Sequence, residues 1–430
     1  MFSLSYRNRE LANLFVVAML TGLGFASVYI ARQDVISTGS LSYALVFFGL
    51  YLTAHVVARL TVPQADPYLL PMAALLTAFG LTEIYRLEPD NAFRQGTWIV
   101  VGVAAFSATL LLLRHDYRIL ESYKYLFGLA AIGLLALPAL PMIGRSVNGA
   151  RLWVEAGGIR FQPGELAKIV LIVFLAGYLR EKREVLAQGR LKDFGPLLLI
   201  WVGAMLVLIR TNDLGGSLLY FGIFLAMLYV ATARAWFIAA GLTLFLAGSA
   251  VVYNFIPRVQ DRVEVWLDPW ADADGKGYQP IQALYSISNG GFGGTGFGKG
   301  TFENTGGGEL IPFIHTDFIF SALGQELGLV GAAALLLVYM LFCLRGFRIA
   351  LLAQDGFSKL LAVGLTFGFA LQTFIIVGGV LRLIPLTGIT LPFVSYGGSS
   401  VVANFILLAG LLLVSHRANS VSRLALEGRS

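Results

Sequence analysis

Twelve apolar runs, each long enough to cross a bilayer, limit this chain more than any other feature. They lie near residues 11–31, 40–60, 67–86, 96–114, 124–143, 164–180, 194–210, 214–232, 235–256, 315–344, 358–381 and 398–415. A hydrocarbon core about 30 Å thick takes roughly 20 residues of helix. Backbone groups in lipid must find partners within their own segment, so the runs predict helices rather than strands. Composition agrees: of the 430 residues 57% are hydrophobic and 13% charged, about half the charge of a soluble domain. The expected fold class is an all-α polytopic membrane protein with about twelve transmembrane helices. The first run follows Arg7 and Arg9 and is long enough to be kept as a span rather than cleaved as a signal peptide.

Twelve spans put both termini on one side, and the basic residues say which. Arg114, Arg118 and Lys124, then Arg180, Lys182, Arg183, Arg190 and Lys192, then Arg345, Arg348 and Lys359 fall in one set of connections. Arg417, Arg423 and Arg429 follow in the C-terminal tail, and about eighteen of the 31 basic residues share this side. Short loops rich in Lys and Arg stay in the cytoplasm, so both termini are expected there. The net charge of +6 reports this topology, and no nucleic-acid partner is expected. The opposite side then carries two polar segments, Gly144 to Gly164 and Pro257 to Ile314. Long connections of this kind usually hold function. Cys343 is the single cysteine, so no internal disulfide can hold them.

Several patterns invite a chemical reading. The tract Gly290 to Gly308 contains Gly291, Gly293 and Gly296 in G-x-G-x-x-G spacing and ends one stretch in Gly298-Lys299-Gly300. A dinucleotide site needs a strand before it, and a P-loop needs Ser or Thr where Gly300 stands. No nucleotide is expected; a flexible rim beside a substrate site is. The stretch Asp261 to Asp274 supplies Asp261, Glu264, Asp268, Asp272 and Asp274. The bland reading is a solvated loop. The functional one is a carboxylate held over a membrane cleft by Trp266 and Trp270, acting as a base or as a ligand to a divalent cation. Glu165 and Lys168, spaced to pair on one helix face, lie inside a run. Asp213 opens another, and His315, Asp317 and Glu326 stand at the start of the tenth. Charges at such depth are costly and normally face a cavity or a partner. Arg145, Arg151 and Arg160 on the first polar segment suit phosphate or a headgroup interface. His55, His115, His315 and His416 are scattered, so no zinc spacing is present.

Five ordered blocks between residues 67 and 415 resemble the SEDS family (shape, elongation, division and sporulation), whose members include FtsW, RodA and SpoVE. PLTGITLPFVSYGGSS at Pro385 to Ser400 is close to the family signature. GARLWV with FQPGELAK, from Gly149 to Lys168, is similar to the family's GARRWI and QPSELAK. Asn212 to Gly215 resembles its PDLG turn, DPWADADGKGYQPIQALYSISNGG its loop block, and IPFIHTDFIFSALGQELG its His-Thr-Asp block. Departures include Gln325 for the first Glu of GEELG and Ala273 for the proline after the loop aspartate, which leaves Asp274 a neighbouring candidate.

The resemblance implies a ten-helix core with two N-terminal helices added. It divides the chain into an extra pair (1–66), first core helices (67–256), a large extracytoplasmic loop (257–314), and last core helices with the tail (315–430). It implies a peptidoglycan glycosyltransferase of the bacterial cytoplasmic membrane that polymerises lipid II on the outer face into β-1,4 glycan, beside a class B penicillin-binding protein. Asp272 corresponds to the family's essential aspartate. Trp153, Arg151, Glu165, Lys168, Asp213, His315, Asp317, Ser395 and Ser399 become the expected substrate-binding groups. Mg or Mn is the expected divalent cation, and a polyprenyl pyrophosphate-linked glycan the second substrate. The rival readings are a lipid II flippase and a non-catalytic scaffold.

Overall fold

A computed structural model describes residues 6–33, 38–141, 143–147, 149–187, 195–302 and 310–427. Every one of the twelve apolar runs is occupied by a helix. In order these are α1 (Tyr6–Gln33), α2 (Thr38–Thr61), α3 (Leu69–Leu87), α4 (Pro89–Leu113), α6 (Lys124–Ala136) after the single turn α5 (Ile119–Ser122), and α7 (Pro163–Ala187). Then come α8 (Gly195–Arg210), α9 (Leu214–Thr232), α10 (Ala235–Phe255), α13 (Ile319–Leu352), α14 (Gly356–Val380) and α15 (Gly398–Glu427). Among the described residues, eight helices are by length and composition long and apolar enough to cross a membrane. The chain is a helical, multi-pass membrane protein. The basic residues Arg190, Lys192 and Arg429 lie outside the described residues.

Two details go beyond the expected helices. The polar segment after α6 is a three-stranded antiparallel sheet, β1 (Gly144–Val147), β2 (Ala150–Ala156) and β3 (Ile159–Phe161). β2 and β3 are joined through Gly157-Gly158, both at positive φ, which suits a tight hairpin. The tenth apolar run becomes helical only at Ile319, so His315 and Asp317 sit in the turns ahead of α13. The segment from Pro257 carries α11 (Pro257–Leu267), a 3-10 turn (Pro269–Asp272) and α12 (Tyr278–Gly290).

The chain forms two compact units interleaved along the sequence. One comprises residues 1–111, 261–345 and 372–409; the other comprises 112–260, 346–371 and 410–430. In the first unit the N-terminal pair is tied down by buried charge. Arg7 pairs with Glu10 at 2.7 Å and donates to Ala65 O, while His55 Nδ1 lies 2.7 Å from Glu10. Tyr51 of α2 donates to Thr77 of α3 at 2.8 Å. These ties make α1 and α2 part of the unit's core.

The glycine tract has a physical task that its motif spacing does not show. Gly328, at φ 68° and ψ −170°, breaks α13. A break exposes carbonyls before it and N–H groups after it, each costly in lipid. Thr295 N and Gly296 N donate to Gln325 O and Glu326 O, both at 3.0 Å. Gly291 O and Phe292 O accept from Leu329 N and Val330 N at 2.9 and 3.2 Å. The segment is spliced into the helix. Glu326 itself accepts from Gly298 N and Gly300 N at 2.6 and 3.0 Å, while Arg86 donates to the carbonyls of the same two glycines. From Gly291 to Gly300 the backbone is therefore tied by hydrogen bonds to α13 and Arg86, where a flexible rim was expected; residues 303–309 lie outside the described ones.

Candidate active site

The expected site residues divide between the two units. Arg151, Trp153, Glu165, Lys168 and Asp213 fall in one; Asp272, His315, Asp317, Ser395 and Ser399 fall in the other.

In the first of these groups, Lys168 is 1% exposed and its Nζ lies 2.9 Å from Glu165 Oε2. The three-residue spacing brings the two together on one face of α7. Asp213 caps α9, its Oδ1 accepting from Gly216 N at 2.7 Å, a favourable place for a carboxylate at a helix N-terminus. Tyr220 donates to Gly164 O at 2.5 Å and lies within electrostatic reach of both Glu165 and Asp213. Arg151 is exposed on β2 and its backbone N donates to Thr211 O at 3.0 Å. Strand alternation puts Arg151, Trp153 and Glu155 on one face. Arg145 and Arg160 both reach Glu155, at 3.2 and 3.6 Å, so these two arginines are engaged with a carboxylate.

In the other group, the His-Thr-Asp block and the signature block lock together. Tyr396 N donates to His315 O at 2.9 Å, and buried Ser395 donates from Oγ to Thr316 O at 2.6 Å while accepting from Leu391 N. The His315 ring lies 3.4 Å from Glu88 and from Asn91. Gln95 of α4 donates to Ser395 O and accepts from Gly397 N, both at 3.2 Å. Ser399 is buried in the first turn of α15. Glycines let these parts approach. A Cβ on Gly80 would stand 2.3 Å from Val394 O, and one on Gly398 would overlap the Trp98 ring.

Asp272 ends the 3-10 turn and is exposed; its Oδ2 accepts from Lys276 N at 3.0 Å. The Lys276 side chain is taken by Asp261 at 2.5 Å, which holds its ammonium above the ordinary range. The tryptophans do not seat Asp272 as expected. Trp266 Nε1 donates to Arg382 O at 3.0 Å, and the Arg382 guanidinium lies 5.0 Å over the Trp270 ring. Asp268 caps the turn by accepting from Trp270 N at 3.1 Å. The carboxylate is placed by turn geometry and by what holds α11.

Arg262 was not expected. It donates from Nη1 to Leu386 O and Thr387 O at 2.9 and 2.7 Å. A Cβ on Gly388, at φ +74°, would lie 3.7 Å from Arg262 Nη2 and 3.6 Å from Asp317 Oδ2. Burial pushes the Asp317 carboxyl up to about 6, against the pull of Arg262. The folded protein then binds this proton more tightly than the unfolded chain does, so stability falls as pH rises through that window and levels off above it. The difference in unfolding free energy between wild type and Asp317→Asn should fall by up to about 2–3 kcal/mol between about pH 4 and pH 7. Thermal unfolding in detergent at stepped pH reads it, and a flat difference would refute the assignment.

Among the described residues no three His, Cys, Asp or Glu side chains converge as metal ligands.

The model of the cell cycle protein family of FtsW, RodA and SpoVE matches residues 67–420. The chain belongs to this family. It is 43% identical to peptidoglycan glycosyltransferase RodA of Mycobacterium tuberculosis, over 96% of this chain and 91% of that one. It is 33% identical to a probable peptidoglycan glycosyltransferase FtsW of Geobacter metallireducens, over 83% and 96%. Among solved structures, it matches a chain of a peptidoglycan synthase complex described for its structural coordination of polymerization and crosslinking. That match has a TM-score of 0.69 and 31% identity, over 83% of this chain and 98% of that one. Rod shape determining protein RodA of Thermus thermophilus matches with a TM-score of 0.59 and 27% identity, over 82% and 97%. The likeness to the mycobacterial RodA reaches into α1 and α2, which the family model leaves out.

Proposed function

We propose that this chain is a peptidoglycan glycosyltransferase that polymerises lipid II on the outer face of the cytoplasmic membrane, with a class B penicillin-binding protein cross-linking the product. One observation carries the mechanism: the Asp272 carboxylate is exposed at the end of a capped turn, where a sugar hydroxyl can reach it. The 4-hydroxyl of one lipid-linked sugar attacks the anomeric carbon of another. Asp272 takes the hydroxyl proton, the new C–O bond forms as the bond to pyrophosphate breaks, and polyprenyl pyrophosphate leaves. Single displacement inverts the anomeric carbon and yields a β-1,4 linkage. A base in hydrogen-bond reach typically contributes about 10²–10⁴-fold.

The leaving pyrophosphate needs cationic partners. Exposed Arg151 suits this better than Lys168, whose ammonium already meets Glu165. In the alternative to the base role, Asp272 would hold a divalent cation, Mg or Mn, which would supply charge neutralisation. The family resemblance makes His315, Asp317, Ser395, Ser399 and Trp153 the further substrate-binding groups of this reading. The twelve-span topology, cytoplasmic termini and division at residues 66, 256 and 314 complete the reading.

Purified protein with lipid II, with and without a partner synthase, tests it. Wild type should yield glycan polymer and Asp272→Ala at least about 100-fold less. Equal polymer from both would overturn the role of Asp272. Headgroup translocation without polymer from wild type would favour a flippase instead.

A further inference from the structure

We propose that Arg262 and Arg382 form a reciprocal clamp that sets the position of the Asp272 turn, which makes both of them positioning residues for glycosyl transfer. The inference rests on the role given to Asp272 above.

The last turn of a helix leaves C=O groups without intrahelical partners, and α11 ends five residues before Asp272. Arg382 Nη2 donates to Trp266 O and Leu267 O at 2.7 and 3.0 Å, and its Nε reaches Trp266 O at 3.3 Å. Cations at helix C-termini are favoured by the dipole as well. The loop that supplies Arg382 has carbonyls of its own to satisfy. Leu386 O and Thr387 O are taken by Arg262, one and a half turns back along α11. Each guanidinium therefore donates to the backbone of the segment that carries the other. Trp266 Nε1 closes the circuit on Arg382 O.

The backbone is bent to make this possible. Arg382 stands at φ +58° and Gly388 at φ +74°, conformations that cost a non-glycine residue about 1 kcal/mol or more. The flat guanidinium suits the task, because one Arg382 side chain spans two carbonyls and stacks on Trp270 as well. Lysine offers a point charge and no plane. Neither arginine is given contact with substrate; both act through the turn that Asp272 ends. Misplacing a reacting group by about 1 Å can cost about 100-fold in rate.

The test uses the full chain in detergent or proteoliposomes with lipid II. Arg262→Lys and Arg382→Lys should each lower kcat by about 10- to 100-fold with KM for lipid II within about twofold of wild type. The double variant should be little worse than either single one, since a clamp with one jaw open is already open. Spin labels at Ala273→Cys and Leu383→Cys, in a Cys343→Ala background, read the distance between turn and loop. The distribution should be narrow with both arginines present and broad with Arg382→Gln. A raised KM with kcat intact would mean that an arginine binds substrate directly, and would overturn the clamp. A distribution that stays narrow in Arg382→Gln would overturn it too. If Asp272→Ala still makes polymer, the catalytic reading fails, while the distance measurement still decides whether the clamp exists.

Discussion

Gly328→Ala should destabilise the protein by at least about 3 kcal/mol and leave α13 open to protease at its break. Two costs add. The backbone at φ 68° and ψ −170° belongs to a region that is nearly glycine-only, worth about 1–3 kcal/mol to any side chain forced into it. A Cβ there would also stand 2.2 Å from Gly294 N and 2.7 Å from Gly293 C. Both are backbone atoms and cannot rotate aside. Relieving the clash pulls the glycine tract off the helix, and the bonds from Leu329 N and Val330 N go with it, at about 1 kcal/mol each or more where water cannot replace them. Gly96→Ala is the control. Nothing lies within 4 Å of its Cβ position, and it sits inside α4, so alanine there should gain about 0.5–1 kcal/mol. Thermal unfolding of the two variants in the same detergent should differ in sign. Equal midpoints would mean that the splice holds nothing.

Lys168→Met should cost about 3–5 kcal/mol, the usual penalty for removing one partner of a buried ion pair. The ammonium is 1% exposed and 2.9 Å from Glu165, so its loss takes a charged partner from a buried carboxylate. Glu165→Leu with Lys168→Met removes both charges and should recover most of the stability, since an apolar replacement of a whole pair is often near neutral. Activity of the stable double variant then separates two roles. Polymer from it would confine the pair to architecture; a stable but inactive protein would put one of the two at the substrate. A single variant as stable as wild type would contradict the burial itself.

The helices were legible because the bilayer imposes one length and one polarity on every span, and all twelve runs carry a helix. Glu165 with Lys168 was legible because helical spacing alone brings them together. The sheet was legible in principle: Asn148-Gly149 and Gly157-Gly158 are hairpin signals on either side of the alternating Arg151, Trp153 and Glu155. The segment was read only for its polarity. The glycine tract was misread for a physical reason. Motif spacing reports neighbours along the chain, whereas these glycines answer to a break in a helix that begins 29 residues later, at Ile319. Arg262 had no signal at all. Its acceptors lie 124 and 125 residues away, and nothing in a basic side chain on a polar helix names a distant carbonyl.

The break in α13 has a consequence for biosynthesis. A membrane helix interrupted near its start presents the insertion machinery with dangling amides at the moment it leaves the ribosome. Here the segment that satisfies them, Gly291 to Gly296, has already been translated, because it precedes Ile319 in the chain. The repair is made before the damage, and α13 can enter the lipid as a finished piece.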